Sequence, residues 1–136
     1  MEVKNKVNPS PLQMQEFFAG VDDKPFVMIN LLKFKPRAEY ADGDHGLSGV
    51  EAYAIYGAEV SKLIWALGGK MGYSGQVDGL LLGEVEELWD AVALAQYPTK
   101  AAMLKMVTSP EYQEAAKHRE AGLAGQLNIR TSGKLA

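Results

Sequence analysis

The sequence predicts an α+β domain built on an antiparallel sheet, and three observations carry that reading. The run Phe-Val-Met-Ile-Asn-Leu-Leu-Lys-Phe (26–34) is apolar except at Asn30 and Lys33. Fenced by Pro25 and Pro36, it is too short for a typical buried helix and suits a strand. A second run, residues 88–97, sets Trp89, Ala91, Ala93 and Ala95 against Val92 and Leu94. Segments of helical periodicity, opened by capping signals, lie between and after these runs. Side chains alternate across a strand, so Met28, Leu32 and Phe34 share one face of the first run and Val27, Ile29 and Leu31 the other. Both faces need cover.

The first helix is opened by Ser10 as N-cap, Pro11 at the first helical position and Gln13 completing a capping box. Met14, Phe17, Phe18 and Val21 form its apolar stripe, and Gly20 with the Asp22–Pro25 turn ends it. After the 26–34 strand comes a polar, Gly-rich loop over 35–49, long enough to suggest a role of its own. Ser48 and Glu51 form a second capping box and open a helix to about residue 67, stopped by Gly68-Gly69. Tyr53, Tyr56, Val60, Leu63, Ile64 and Leu67 fall on one face of it. A strand over 70–77 follows, then an Asp78-Gly79 turn and a short apolar arm over 80–82. Beyond the 88–97 strand, Pro98-Thr99 opens a helix to about residue 107, and Ser109-Pro110 restarts it to about 121. The last strand, 126–131, alternates Leu127 and Ile129 with Asn128 and Arg130.

After the opening helix the order is β-α-β-β-α-β, the ferredoxin-like arrangement. Residues 1–24 read as an N-terminal helical extension, 25–132 as the ferredoxin-like domain and 133–136 as a C-terminal tail. Two helices would cover one face of the sheet. The other face is apolar as well, and the chain holds no further element large enough for it. Packing of that face on a second copy is the economical solution, and a homodimer is expected.

The 136 residues suffice for one domain with a real core. A net charge of −3 and the lack of an aromatic-basic stripe speak against nucleic acid. Without cysteine there are no disulfides, thiolate nucleophiles or cysteine metal sites, which fits a cytoplasmic setting. No signal peptide and no apolar stretch of roughly 20 residues is found, so no membrane is expected. Asp42-Gly43-Asp44-His45-Gly46 looks like the start of a calcium loop, but its twelfth position is Tyr53. The glycines at 69, 72 and 75 make no dinucleotide fingerprint. No metal and no cofactor are expected.

Asn30 is the foremost single candidate, because an unsatisfied amide in an apolar strand costs about 1–3 kcal/mol. It either bonds a neighbouring side chain or serves a ligand. Tyr53 and Tyr56 are core aromatics with hydroxyls seeking partners, or one of them lines a pocket. Tyr73, Trp89 and Tyr97 carry the same two readings. His118 and Arg119 sit near a helix C-terminus, where positive charge complements the dipole. In the sharper reading they flank a pocket, with Arg119 nearer the core because it continues the stripe of Tyr112, Ala115 and Ala116.

Four segments together resemble the DUF1330 family: Val-Met-Ile-Asn-Leu-Leu-Lys-Phe (27–34), Glu-Ala-Tyr-Ala-Ile-Tyr (51–56), Trp-Asp-Ala-Val-Ala-Leu-Ala-Gln-Tyr-Pro (89–98) and Ser-Pro-Glu-Tyr-Gln (109–113). Lys-His-Arg-Glu-Ala-Gly-Leu (117–123) is similar to a longer branch of it. The resemblance spans about residues 25–132 and implies the dimeric α+β barrel superfamily, in which two ferredoxin-like subunits press their sheets together. That superfamily includes cofactor-free monooxygenases, haem-degrading enzymes and members without known activity. Haem-degrading members use an Asn, a Trp and a His in the order of Asn30, Trp89 and His118, but the gap from Trp89 to His118 is longer here.

Two functional readings stay open. One is a small-molecule-binding protein, possessing if catalytic a cofactor-independent monooxygenase-like or isomerase-like activity on an aromatic or carbonyl compound. In it Asn30 and a tyrosine orient the polar group, Trp89 forms a wall and His118 is acid or base. The other is a non-catalytic binding or assembly module. A buried, solvent-connected pocket onto which Asn30 and His118 converge favours the enzyme, and a filled interior with His118 out in water favours the module.

Overall fold

The computed structural model describes residues 1–135; the last residue of the expected tail, Ala136, lies outside the described residues. The elements run α1 (Pro11–Phe18), β1 (Phe26–Phe34), α2 (Gly49–Ala66), β2 (Lys70–Gln76), β3 (Ala91–Tyr97), α3 (Lys100–Val107), α4 (Pro110–Gly122) and β4 (Leu123–Thr131). Both expected capping boxes form. The Ser10 N–H donates to Gln13 Oε1 at 3.0 Å and the Gln13 N–H to Ser10 Oγ at 3.1 Å. Ser48 and Glu51 make the same exchange at 2.9 and 3.1 Å. Each box satisfies backbone donors that a helix start leaves without intrahelical partners.

The sheet order is β2-β3-β1-β4 with every neighbouring pair antiparallel, which is the ferredoxin-like sheet. β1 is central and bonds β3 on one side and β4 on the other. Its face bearing Phe26 and Met28 meets Tyr56, Val60 and Ile64 of α2, Met106 of α3 and Ala115 of α4 in the main apolar cluster. No helix among the described residues is long and apolar enough to cross a membrane.

The other face of the sheet is apolar in rows. Ile29 pairs with Leu94 and Ile129, and Leu94 pairs in turn with Tyr73. Leu31 pairs with Val92 and Leu127. Among the described residues, none of these seven belongs to the clusters the helices build with the sheet. On β4 the usual polarity is reversed: Gln126, Asn128 and Arg130 stand on the helix side, and Leu127 and Ile129 point away from it. At one end of this face the Leu135 N–H donates to Gln96 Oε1 at 2.7 Å.

Several expected boundaries move, for physical reasons. α1 stops at Phe18, and Val21 stands in solvent beyond Gly20, whose φ of 73° turns the chain. β3 begins at Ala91 instead of 88, because side chains hold the segment before it. Lys33 Nζ donates to the Leu88 carbonyl at 2.9 Å, and the Asp90 carboxylate accepts the Phe34 N–H at 2.8 Å. β4 begins directly at Leu123, which is fully buried, so no loosened link separates it from α4. The 80–82 arm forms no strand; its three leucines are exposed.

The long 35–48 connection is fastened to the end of α4. The Lys35 N–H donates to the Gly122 carbonyl at 2.8 Å and the Glu39 N–H to the Ala121 carbonyl at 2.9 Å. Gly49 closes the arrangement, its N–H donating to the Lys35 carbonyl at 3.1 Å. A β-carbon at Gly49 would collide with the carbonyl oxygens of Lys35 and Gly122, which are backbone and cannot swing aside. Gly49→Ala should therefore cost about 2–3 kcal/mol, read as a lowered midpoint in chemical denaturation. An unchanged midpoint would show that α2 and α4 do not approach this closely.

Candidate functional site

The helices do not fill the space above the sheet. A cavity of about 380 Å3 lies between them, with Asn30, Gln126, Tyr53 and Arg119 among its lining. That is toward the small end of the roughly 300–1,000 Å3 of ligand pockets. Its apolar floor is Met28, Ala93 and Ala95 of the sheet, and Asn8, Met14 and Phe18 border it from the N-terminal segment.

A chain of hydrogen bonds runs along one wall. Asn30 sits mid-strand, and its Nδ2 donates to the carbonyl of Ala93, its register partner, at 3.1 Å. That turns Oδ1 toward Gln126, whose Nε2 donates to it at 2.7 Å. Gln126 Oε1 is then left to accept from Arg119 Nη2 at 2.8 Å. The sheet carbonyl thus sets the polarity of two amides in turn, and the chain ends on a guanidinium. Arg119 also donates to the Val7 carbonyl and, at 3.4 Å, to Asn8 Oδ1. Both ends of the Asn30 amide are therefore satisfied within the protein. Its direct role is to hold Gln126, which is 7% exposed.

Tyrosines make the opposite wall. Tyr56 and Tyr112 share a hydroxyl–hydroxyl bond of 3.0 Å, and Tyr53 packs beside Tyr56 at 5.2 Å between ring centroids. Tyr97 stacks on Phe26 at 5.6 Å. Burial pushes the Tyr53 phenol up to about 12, with the Arg119 guanidinium pulling the other way. Burial raises Tyr56 and Tyr97 as well, helped by neighbouring tyrosines. All three phenols are neutral donors at ordinary pH.

Of the residues singled out from sequence, Asn30, Tyr53, Tyr56, Tyr97 and Arg119 meet at this cavity, and His118, Trp89 and Tyr73 do not border it. Successive helical residues point about 100° apart, so Arg119 on the cavity side turns His118 toward the 35–48 loop. There His118 Nδ1 lies 2.6 Å from the Tyr40 hydroxyl, whose ring stacks on His45 at 3.8 Å. His45 in turn bonds Asp42 at 2.7 Å, and Asp44 pairs with Arg37 at 2.7 Å. Trp89 lies ahead of β3 and donates from Nε1 to Asn5 Oδ1 at 2.7 Å. Tyr73 is 59% exposed and borders a separate open groove between α2 and β2. The Asn30, Trp89 and His118 set thus has only its first member at the cavity, so a haem-degrading constellation is not assembled there. Among the described residues, no three His, Asp or Glu side chains are grouped to hold a metal ion.

Gln126 and Tyr112 were not singled out, yet both shape the site. Gln126 could have been found from β4's alternation, which puts a polar residue on the side the helices cover. Tyr112 continues the α4 stripe that already located Arg119.

Asn30→Leu should destabilise the fold by about 1–3 kcal/mol, since it strands Gln126 Nε2 in a buried setting. An unchanged melting temperature would remove the hydrogen-bond chain. The phenols make a second prediction. Because their folded values lie above the ordinary 10.0, the folded chain keeps protons that the unfolded chain releases. The Tyr53 contribution is complete below pH 10 and is lost as pH rises through about 12, and the raised Tyr56 and Tyr97 phenols act in the same direction. Alkaline titration read by phenolate absorbance should show delayed titration coupled to unfolding. Ordinary titration of all six tyrosines in a folded chain would contradict it.

Residues 45–130 match the family model described as a domain of unknown function, DUF1330. A Rhodopseudomonas palustris protein of unknown function is 35% identical over 98% of this chain and 100% of its own, with a TM-score of 0.86. Distant structures share the fold alone. A Caulobacter crescentus protein provisionally named an antibiotic biosynthesis monooxygenase is 11% identical over 89% of this chain and 97% of its own, TM-score 0.57. A dimeric ferredoxin-like protein of unknown function from Thermobifida fusca is 13% identical over 85% and 96%, TM-score 0.51. No curated protein matches the sequence. By the match over 45–130 and the likeness to the R. palustris protein, the chain belongs to the DUF1330 family.

Proposed function

We propose that this chain is a homodimeric small-molecule-binding protein whose cavity takes a compact aromatic or carbonyl compound. The observation that carries this reading is the cavity itself. Apolar side chains would close such a space readily, yet here a tyrosine wall faces a bonded Asn30–Gln126–Arg119 chain across it. Aromatic faces suit a flat ligand, and phenol donors suit a carbonyl oxygen. The homodimer is supported by the uncovered rows around Ile29 and Leu31 and by the reversed polarity of β4. The dimeric state of the Thermobifida fusca protein agrees with it.

A specific observation also favours an isomerase-like activity. Tyr53 and Arg119 line the same cavity, and a neutral phenol with a guanidinium can stabilise an oxyanion developing on a bound carbonyl compound. His118, held at Tyr40, takes no part in this version.

Native mass spectrometry of freshly purified protein tests the reading. The expected spectrum shows twice the chain mass with a retained small molecule that is lost on denaturation. Ala116→Phe, which fills the cavity from α4, should lose that molecule and keep the dimer. Retention of the same mass by Ala116→Phe would place the ligand elsewhere. A dimer that retains nothing and binds none of a panel of aromatic acids and ketones would favour the assembly module.

A further inference from the structure

The cavity has a chemical polarity, and it is that of a site for an anion. Among the residues lining it, Arg119 is the one cation and Glu120 the one carboxylate, and Glu120 lies on the exposed side of α4. Arg119 has neutral partners only: the Val7 carbonyl, Asn8 Oδ1 and Gln126 Oε1. No carboxylate lies within ion-pair distance of it among the described residues, although Arg130, Arg37, Lys33 and Lys117 all have one. A guanidinium also carries more N–H groups than these three acceptors use.

The other buried and half-buried polar groups of the lining point the same way. The amide oxygens of Asn30 and Gln126 already accept bonds within the wall. The Tyr56–Tyr112 bond uses one phenol proton and leaves the other unused. Tyr97 is 6% exposed and Tyr53 is half-buried, and neither hydroxyl has a protein partner among the described residues. Unused donors therefore face the cavity beside an unneutralised positive charge. Partly buried, such a charge is stabilised most by a charged acceptor.

We infer that the ligand carries a carboxylate or equivalent oxyanion, which binds Arg119 and the Tyr53 hydroxyl while its flat apolar body lies on Met28, Ala95 and the tyrosine rings. This deepens the proposed small-molecule reading and rests on it. The sheet-fixed amides aim the guanidinium, so the anion meets a pre-set donor with little ordering left to do. The same guanidinium ties down Val7 and Asn8, so an occupied site also fastens the N-terminal segment that borders the cavity.

Calorimetric titration with benzoate, benzamide and benzylammonium at neutral pH separates the possibilities. These share a ring and differ in charge. Benzoate should bind the wild-type protein at least ~10-fold more tightly than benzamide, about 1.4 kcal/mol, with benzylammonium weakest. Arg119→Met should abolish the difference between benzoate and benzamide. Should that variant fail to fold, the wild-type ratio and its decline with added salt still decide the matter. Equal affinity for benzoate and benzamide, or preference for benzylammonium, overturns the anion assignment and leaves the cavity reading intact. Binding of none of the three overturns the anion assignment; the cavity reading itself falls if Ala116→Phe keeps the retained mass, or if the dimer retains nothing and binds none of the panel of aromatic acids and ketones.

Discussion

A central strand that is apolar on both faces and bonded on both edges constrains everything around it. β1 is such a strand. Its ladders to β3 and β4 satisfy its backbone, so what remains is to keep water from two faces at once. The helices cover the face of Phe26, Met28 and Leu32. The rows of Ile29 and Leu31 have no cover of that kind, and β4 adds Leu127 and Ile129 to them. The placement of apolar side chains on β4 fits the proposed second copy on the outward face.

The same strand explains why the helix side is not a filled core. Asn30 interrupts β1 at its middle, where an amide must find partners. Its bonds to Ala93 and Gln126 draw a polar chain into the layer that the helices cover, and Arg119 ends it. Close packing of apolar groups cannot continue across such a wall, and the tyrosines opposite it keep a space open. Chemistry and architecture thus share one residue. A carbonyl of the sheet orients Asn30, Asn30 orients Gln126, and Gln126 orients the charge.

Much of this was legible in the sequence, and the boundary of legibility follows chain distance. Ser10 with Gln13 and Ser48 with Glu51 act over three residues, and both helix starts formed where expected. The two-faced character of 26–34 needed only strand alternation, and the α4 stripe placed Arg119 toward the core. Partners far along the chain were hidden. Gln126 reaches Asn30 across 96 positions, and Trp89 is claimed by Asn5 across 84. His118 was turned to Tyr40 by a loop whose docking onto α4 has no local signal. Val21 was misplaced because Gly20 ended the helix before the stripe could continue.

The claim on which the rest stands is that the Ile29 and Leu31 face is an interior made by a second copy. Light scattering during size exclusion, on the wild-type protein and Ile129→Asp at ~10 µM, tests it most directly, because a standard interface of this type holds at such concentrations. Ile129 is 42% exposed, so a carboxylate there leaves the single chain intact while placing charge at the β4 end of the row, beside Ile29. The expected result is twice the chain mass for the wild type and the single-chain mass for the variant, with unchanged circular dichroism. A wild-type protein that runs stably at the single-chain mass would contradict the account.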